Sequence, residues 1–275
     1  MRVVIIILAI SLFSCLGSDK PPVWVKPEST TINCGDYYSL KTELGIINNN
    51  VWNKHAAADD TWSQCLEKKI VGGETVFGWS WAWPVGRQVI YAYPQIKIGS
   101  SPWAPEPKFD SAFPLKISEL KKLEIAHDVE ILTNGEHNIA TTTWLVSEPY
   151  TGSKPNPAVI TAEIMIWTYA TDGHFSPAGR KRGELTVNGI TWEVWYQKEW
   201  DDKSGMNDNK WVSVSFKAKQ SSMHAMIPAL HLLNYAVQES LIPDNLYVAD
   251  VELGNEIMSG SGITWVKAFS VHYQK

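Results

Sequence analysis

The chain has 275 residues, of which 44% are hydrophobic and 19% charged, which is enough for one well-buried globular core. Its formal net charge is −5, and its longest basic run is the three residues 180–182. A duplex-binding surface needs a clustered basic patch, so nucleic acid is not expected as a partner.

The first 15 residues have the layout of an export signal. Arg2 precedes an apolar run over 3–13, which is shorter than the ~20 residues of a membrane span. The segment ends in Leu-Phe-Ser-Cys, which is similar to a bacterial lipoprotein cleavage site with Cys15 as the lipidated residue. Lipidation of Cys15 and plain secretion both remain open. The protein is therefore expected to be secreted or anchored at the cell surface or outer membrane.

The rest of the chain is predicted to be a short linker and one domain. Residues 16–31 are polar and rich in proline, as is typical of a tether. No second linker and no internal repeat follows, so one domain is predicted over 32–275. Removal of Cys15 would leave Cys34 and Cys65, which an exported protein can join in a disulfide. Two free thiols are the alternative.

Most of this domain is predicted to be β-strand. Segments rich in β-branched and aromatic residues are separated by Gly, Pro, Asn or Asp. These segments are 89–93, 123–132, 138–146, 159–169, 184–187, 191–197 and 211–217. Many short strands with turn signals between them predict an all-β sandwich or jelly roll.

One segment has a helical period instead. Apolar residues recur at three- and four-residue spacing from Met226 to Leu241, which predicts a helix packed on one side. Pro228 is tolerated in a first turn, and Pro243 ends the run.

Two predicted strands carry carboxylates in mid-strand. Alternation places Glu163 on one face with Met165 and Trp167, and it places Glu252 with Glu256 on one face of a later strand. Such acids are costly in a sheet unless they are solvated, paired with an opposite charge or required for function. They can equally lie on the solvated outer face of a sandwich, and for Asp250 this remains the interpretation.

The chain also contains 14 tryptophans and 10 tyrosines. Some of them are expected to fill a β-rich core. Others are expected to line a groove, because flat aromatic faces with a polar edge stack on the C–H-rich faces of sugar rings. The composition therefore favours a carbohydrate as the partner.

Several motifs, taken together, resemble glycoside hydrolase family 12. The resemblance extends from about Cys34 to the C-terminus, and the order and spacing of the motifs make it specific. The motifs are Asn-Asn-Val-Trp at 49–52, Trp-Ser-Trp-Ala-Trp-Pro at 79–84, Tyr-Ala-Tyr-Pro at 91–94, Glu-Ile-Met-Ile-Trp at 163–167, Pro-Ala-Gly at 177–179, Trp-Glu-Val-Trp at 192–195 and Gly-Asn-Glu at 254–256.

The resemblance implies a jelly roll of two curved antiparallel sheets with one helix on the convex side. It implies a retaining endo-acting hydrolase of β-1,4-glucans, with Glu163 as nucleophile and Glu256 as general acid/base. It also matches a disulfide between Cys34 and Cys65. No cofactor and no metal are expected, and a monomer is expected. The residues expected to bind substrate are Asn50, Trp52, Met165, Trp167, Pro177 and Glu252.

Two departures from the family pattern bear on these roles. Thr142 stands where members often have an acid beside the nucleophile, which bears on the pH optimum, and Asn53 follows Trp52 where Gly is common. Glu252 is expected either to bind substrate and tune Glu256 or to be solvated at the surface.

Other functions remain open. A non-catalytic carbohydrate-binding jelly roll at the cell surface is the alternative from another class of protein. The residues around Glu163 and Glu256 fit the pattern of the related xylanases poorly, so a xylanase is a minor alternative.

Overall fold

The computed structural model describes residues 24–201 and 208–275. The predicted signal 1–15, with Cys15, and residues 16–23 of the predicted linker lie outside the described residues. The strands, numbered in chain order, are β1 (Thr30–Asn33), β2 (Ser39–Lys41), β3 (Ile46–Asn48), β4 (Ser63–Val71), β5 (Glu74–Trp83), β6 (Gln95–Gly99), β7 (Leu115–Lys116), β8 (Lys122–Thr133), β9 (Asn138–Val146), β10 (Ile160–Ala170), β11 (Arg180–Val187), β12 (Ile190–Trp200), β13 (Trp211–Ala218), β14 (His224–Ile227), β15 (Tyr247–Val248), β16 (Asp250–Gly254) and β17 (Gly260–Gln274), and the α-helix of the described part is α1 (Ala229–Gln238).

The strands form two sheets, which confirms the predicted all-β jelly roll with one helix. The smaller sheet has the order β1-β4-β5-β17-β8-β14, and the larger has the order β11-β12-β13-β10-β9-β16-β6-β3-β2. One pairing differs from the antiparallel sheets that were predicted, because β10 and β13 are parallel. Parallel neighbours need a long crossover connection. The β11–β12 hairpin, which lies beyond β13 at the end of the sheet, is part of that connection.

The core lies between the two sheets and follows from side-chain alternation. On β10, Ala162, Ile164 and Ile166 are almost fully buried, and they share one cluster with Leu253 of β16 and Val266 of β17. Each such aliphatic side chain contributes roughly 1.5–3 kcal/mol by leaving water. The residues between them must therefore face the other way.

The helix packs against the same core. Leu230, Leu233 and Ala236 are buried in the main cluster, and the Tyr235 ring meets Phe216 of β13 edge to face at 6.4 Å. The predicted start at residue 226 is wrong. Met226 and Ile227 belong to β14 and pair with β8, since the residue before a proline is disfavoured in a helix.

One predicted strand is also absent. Residues 89–93 make only an isolated bridge between Ala92 and Ile257. The Tyr91 N–H donates to the Ile257 carbonyl, whereas the Tyr93 N–H donates to the carbonyl of Asn50. The segment is therefore hydrogen-bonded to two different loops. Its aromatic and apolar residues caused the wrong prediction of a strand.

The N-terminal end of the described chain is fixed to the smaller sheet. β1 begins at Thr30, two residues before the predicted domain boundary, and pairs with β4. Glu67 of β4 is fully buried, and its carboxylate accepts hydrogen bonds from Lys26 at 2.5 Å, Ser29 at 3.0 Å and Ser80 at 2.7 Å. A buried carboxylate needs such partners, so these contacts hold the segment in place.

Cys34 and Cys65 form a disulfide across a sequence separation of 31 residues. It joins the loop after β1 to β4, and it fits an exported protein. In the part of the chain that the structure describes, no helix is long and apolar enough to span a membrane.

Replacing both Cys34 and Cys65 by serine should lower the free energy of unfolding by about 3–4 kcal/mol in the chain-entropy model. The reason is that the cross-link restricts the unfolded chain. Urea unfolding of the wild type and the double variant at equal pH measures the difference. A reduced wild-type sample, which should match the double variant, is the control, and equal stability of all three samples would contradict the expectation.

Candidate active site

Glu163 lies in the middle of β10 and points away from the core. Its register partners are Trp144 on β9 and Ser213 on β13. Because Ala162 and Ile164 are buried in the core, alternation turns Glu163 to the opposite face of the larger sheet. We call this the site face. It is the orientation that the sequence predicted for Glu163.

Glu256 follows β16 and is held by Asn138 of β9. The Glu256 N–H donates to Asn138 Oδ1 at 2.8 Å, and the Asn138 side-chain amide donates to Oε2 of Glu256. The preceding Asn255 is fully buried, and its Oδ1 accepts hydrogen bonds from Trp79 Nε1 at 2.7 Å and Thr264 Oγ1 at 3.2 Å. These contacts restrict the position of the Glu256 carboxyl.

The pKa of Glu256 is raised to about 8. The largest cause is burial, which disfavours the charged carboxylate, and the second is the negative charge of Glu163. The hydrogen bond from Asn138 acts in the opposite direction, because it stabilises the charged form. Glu256 is therefore protonated at neutral pH, as a general acid must be.

Glu163→Gln should lower the pKa of Glu256, because it removes a negative charge and keeps the shape of the side chain. The measurement is a carbon-13 NMR titration of side-chain carboxyl groups in the wild type and the variant, with Glu256→Gln to assign the signal. Glu252→Gln, which removes the carboxyl four residues earlier in β16, is the control. A Glu256 pKa that does not move in Glu163→Gln would show that the two groups are not coupled.

Tyr93 is buried beside β9 and β16, near the carboxylates. Its hydroxyl contacts the carbonyls of Ala140 at 2.9 Å and Glu252 at 3.1 Å, and it accepts a hydrogen bond from Thr142 Oγ1 at 3.2 Å. Burial first, and then the charges of Glu252, Glu256 and Glu163, raise the pKa of Tyr93 well above its ordinary value. Thr142, which stands where an acid was expected, therefore binds a neutral hydroxyl.

Asp250 is not on a solvated face, so that interpretation is wrong. Asp250 is fully buried, Glu252 is 4% exposed, and Lys97 of β6 is 2% exposed. The Lys97 ammonium donates to the Ala104 carbonyl at 2.6 Å, and this hydrogen bond holds the loop after β6 against β6 itself. Burial, followed by the charge of Glu252, raises the pKa of Asp250 well above its ordinary value. Because Glu252 is buried as well, the surface position considered for it is wrong.

Three of the predicted substrate-binding residues meet in one cluster. Met165 and Trp167 are buried together with Tyr93 and Ala140, and Trp52 packs against them while partly exposed. Ring faces at such a site can stack on sugar.

Two of the other predicted substrate-binding residues, Asn50 and Glu252, lie beside this cluster. Asn50 is next to Trp52, since its Oδ1 accepts the Trp52 N–H at 3.1 Å while its Nδ2 donates to Gln95 Oε1 at 3.1 Å. Glu252 is the register partner of Thr142, which in turn faces Met165. Pro177 is buried in the loop between β10 and β11. Substrate binding by these residues stays a prediction.

Two residues with direct contacts to the glutamates were missed in the sequence. Trp211 donates from Nε1 to Glu163 Oε2 at 3.1 Å, and Asn138 holds Glu256 as described. A signal existed for both. Trp211 is in phase with Ser213 rather than with the buried Val214, and Asn138 is in phase with Thr142 rather than with the buried Ile139.

No group of three or more His, Cys, Asp or Glu that could hold a metal ion occurs in residues 24–201 and 208–275. The groups that the site offers for chemistry include two carboxyl groups, Glu163 and Glu256. One carboxyl is protonated, a second acts on it electrostatically, and aromatic rings flank both on one sheet face. This arrangement on a jelly roll is typical of glycoside hydrolases.

The model of glycosyl hydrolase family 12 matches residues 45–273, and the chain belongs to that family. Endoglucanase S of Pectobacterium parmentieri is 27% identical over 215 residues, which are 78% of this chain and 76% of that protein. A probable xyloglucan-specific endo-β-1,4-glucanase A of Aspergillus clavatus is 26% identical over 252 residues, 89% of this chain and 92% of the other. The native family 12 xyloglucanase of Bacillus licheniformis has a TM-score of 0.74 at 24% identity, over 90% of this chain and 100% of that one, which supports the fold.

Proposed function

We propose that this protein is a retaining endo-β-1,4-glucanase in which Glu163 is the nucleophile and Glu256 the general acid/base. The observation that carries the proposal is a pair of carboxyl groups held by separate donors, Glu163 by Trp211 Nε1 at 3.1 Å and Glu256 by Asn138, with the pKa of Glu256 raised by burial and by the charge of Glu163. A glycosidase needs one carboxylate and one carboxylic acid in the same site at the same pH. Membership of family 12 supports the same assignment.

The reaction would proceed in two steps. In the first, Glu163 attacks the anomeric carbon while Glu256 gives its proton to the departing glycosidic oxygen, which leaves a glycosyl ester on Glu163. In the second, Glu256 takes a proton from water, water adds to the anomeric carbon, and the ester bond to Glu163 breaks. This route requires the two carboxyl groups to be about 5–5.5 Å apart, which leaves no room for a water between them.

The substrate would be a β-1,4-linked glucan, with cellulose, mixed-linkage glucan and xyloglucan as the candidates. Trp52, Met165 and Trp167 lie in one cluster on the site face and would bind the sugar rings. The relatives include proteins named endoglucanase and xyloglucan-specific endoglucanase, which supports a β-glucan substrate. Digestion of xyloglucan, carboxymethyl cellulose and barley glucan side by side identifies the preferred one.

The wild type should release reducing ends from a β-glucan with a first-formed β-anomer. Glu163→Ala should abolish turnover because the nucleophile is lost, and azide should restore some cleavage with inverted products. Glu256→Ala should still form the glycosyl-enzyme from an activated aryl glycoside, because a good leaving group needs no acid. Proton NMR of the first product decides the stereochemistry. A first-formed α-anomer would mean inversion and would overturn the assignment.

A non-catalytic carbohydrate-binding protein is the alternative that these experiments exclude or support. Such a protein would bind the same glucans in an affinity gel without releasing reducing ends. It would have no need for the protonated Glu256 beside Glu163.

We propose further that the protein acts as a monomer outside the cell, either secreted or held by a lipid on Cys15. Under this proposal Cys15→Ala in a bacterial host should move the protein from the membrane fraction to the medium, because the lipidated residue is lost. Fractionation and immunoblotting measure the change, with Cys34→Ser as a control for loss of a cysteine. Equal membrane association of wild type and Cys15→Ala would leave plain secretion or another anchor.

A further inference from the structure

Trp211 is placed to act on the proposed nucleophile. It opens β13 two residues before Ser213, which is the parallel register partner of Glu163. Residues two apart on a strand share a face, so the indole ring of Trp211 lies on the site face beside Glu163. The 3.1 Å contact between Trp211 Nε1 and Glu163 Oε2 is a hydrogen bond from a neutral donor to a carboxylate.

The indole ring is held in place by two other tryptophans. Trp103 and Trp144 meet Trp211 edge to face, with ring centroids 5.6 Å and 5.3 Å away, and they meet each other at 5.5 Å. Trp211 is 4% exposed. Trp144 is also the register partner of Glu163 on β9, so the aromatic cluster and the carboxylate share one framework. The donor is therefore preorganised, which is the condition for a hydrogen bond to orient a reacting group.

We propose that Trp211 is a positioning residue for Glu163, whose indole N–H orients the carboxylate and stabilises it as it leaves the sugar. The proposal rests on the function proposed above and adds a residue and a step to it. Asn138 has a comparable place beside Glu256, so each glutamate would have its own fixed donor.

The two chemical steps should depend on this hydrogen bond in opposite ways. When the ester forms, electron density leaves the carboxylate, and a donor that stabilises the carboxylate gives no advantage. When water displaces the ester, the electron pair of the broken bond returns to Glu163, and the donor stabilises the charge that develops there. Loss of the N–H should therefore slow the second step more than the first.

The same hydrogen bond should affect the acidic side of the pH profile. A donor to a carboxylate favours the charged form. Glu256 and Tyr93 are titratable groups on which the charge of Glu163 acts in the described structure. Trp211→Phe leaves both of these groups in place and removes the donor to Glu163, so the acidic limb should shift in that variant.

The test compares Trp211→Phe with Trp103→Phe. Trp103 belongs to the same aromatic cluster, but its Nε1 is buried without a hydrogen-bond partner, so this control loses ring area without losing a bond. With a dinitrophenyl β-cellobioside, whose leaving group makes the first step fast, Trp211→Phe should lower kcat about 10- to 100-fold, the range for a lost bond to a charged group. KM should fall with kcat because the glycosyl-enzyme accumulates.

The acidic limb of kcat/KM should move to higher pH in Trp211→Phe and stay in place in Trp103→Phe. Unchanged kcat and an unmoved acidic limb in folded Trp211→Phe would overturn the proposal. Equal effects of both variants would do so too, because they would indicate a packing role. If Trp211→Phe does not fold, benzothienylalanine at position 211 keeps the ring shape and removes only the donor.

A second measurement separates this proposal from the function on which it rests. Carbon-13 NMR titration of the Glu163 carboxyl needs no turnover, and the titration should move upward when the Trp211 donor is removed. If the Glu163 titration moves upward in Trp211→Phe but the wild type releases no sugar, the proposed function is contradicted and the hydrogen bond is not. An active wild type whose Glu163 titrates identically in both proteins would contradict the role of Trp211.

Discussion

The alternation of side chains along β9, β10 and β16 links the core of this protein to its site. Each strand places one set of residues between the two sheets, where Ile164 and Leu253 are buried in a single cluster. The other set then has only one direction left, toward the site face. A register slip of one residue would move Glu163 into the core and an isoleucine into the site. The hydrophobic effect that folds the domain therefore also fixes the orientation of Glu163.

The site then depends on unequal surroundings for chemically identical groups. Glu256 is held by Asn138 beside buried Asn255, whereas Glu163 accepts a hydrogen bond from Trp211. Burial and the charge of Glu163 keep the proton on Glu256. The backbone at Gly254 is packed so closely that a Cβ there would lie 2.5 Å from the Pro94 carbonyl oxygen and 3.1 Å from the Tyr93 ring. Glycine is needed at this position for close approach, and this explains part of the Gly-Asn-Glu motif.

The sequence predicted those features that depend on local periodicity. The strand β10 and the side on which Glu163 lies follow from its alternating isoleucines, and the helix was found from its period, although Pro228 moved its start. The remaining features depend on contacts between distant residues. Asp250 accepts a hydrogen bond from the Trp144 N–H across 106 positions in sequence, and Asn138 reaches Glu256 across 118. No spacing within one segment encodes such contacts.

The parallel pairing of β10 and β13 has a consequence for how this scaffold can diverge. The chain leaves β10, makes the β11–β12 hairpin at the outer end of the larger sheet, and returns to the neighbour of β10. The hairpin lies outside β9, β10 and β13, which surround Glu163. Its length can therefore change while those three strands keep their register. Insertions or deletions there would extend or shorten the surface available to a polymer on one side only. A family built in this way can change the reach of its binding surface without altering its chemistry.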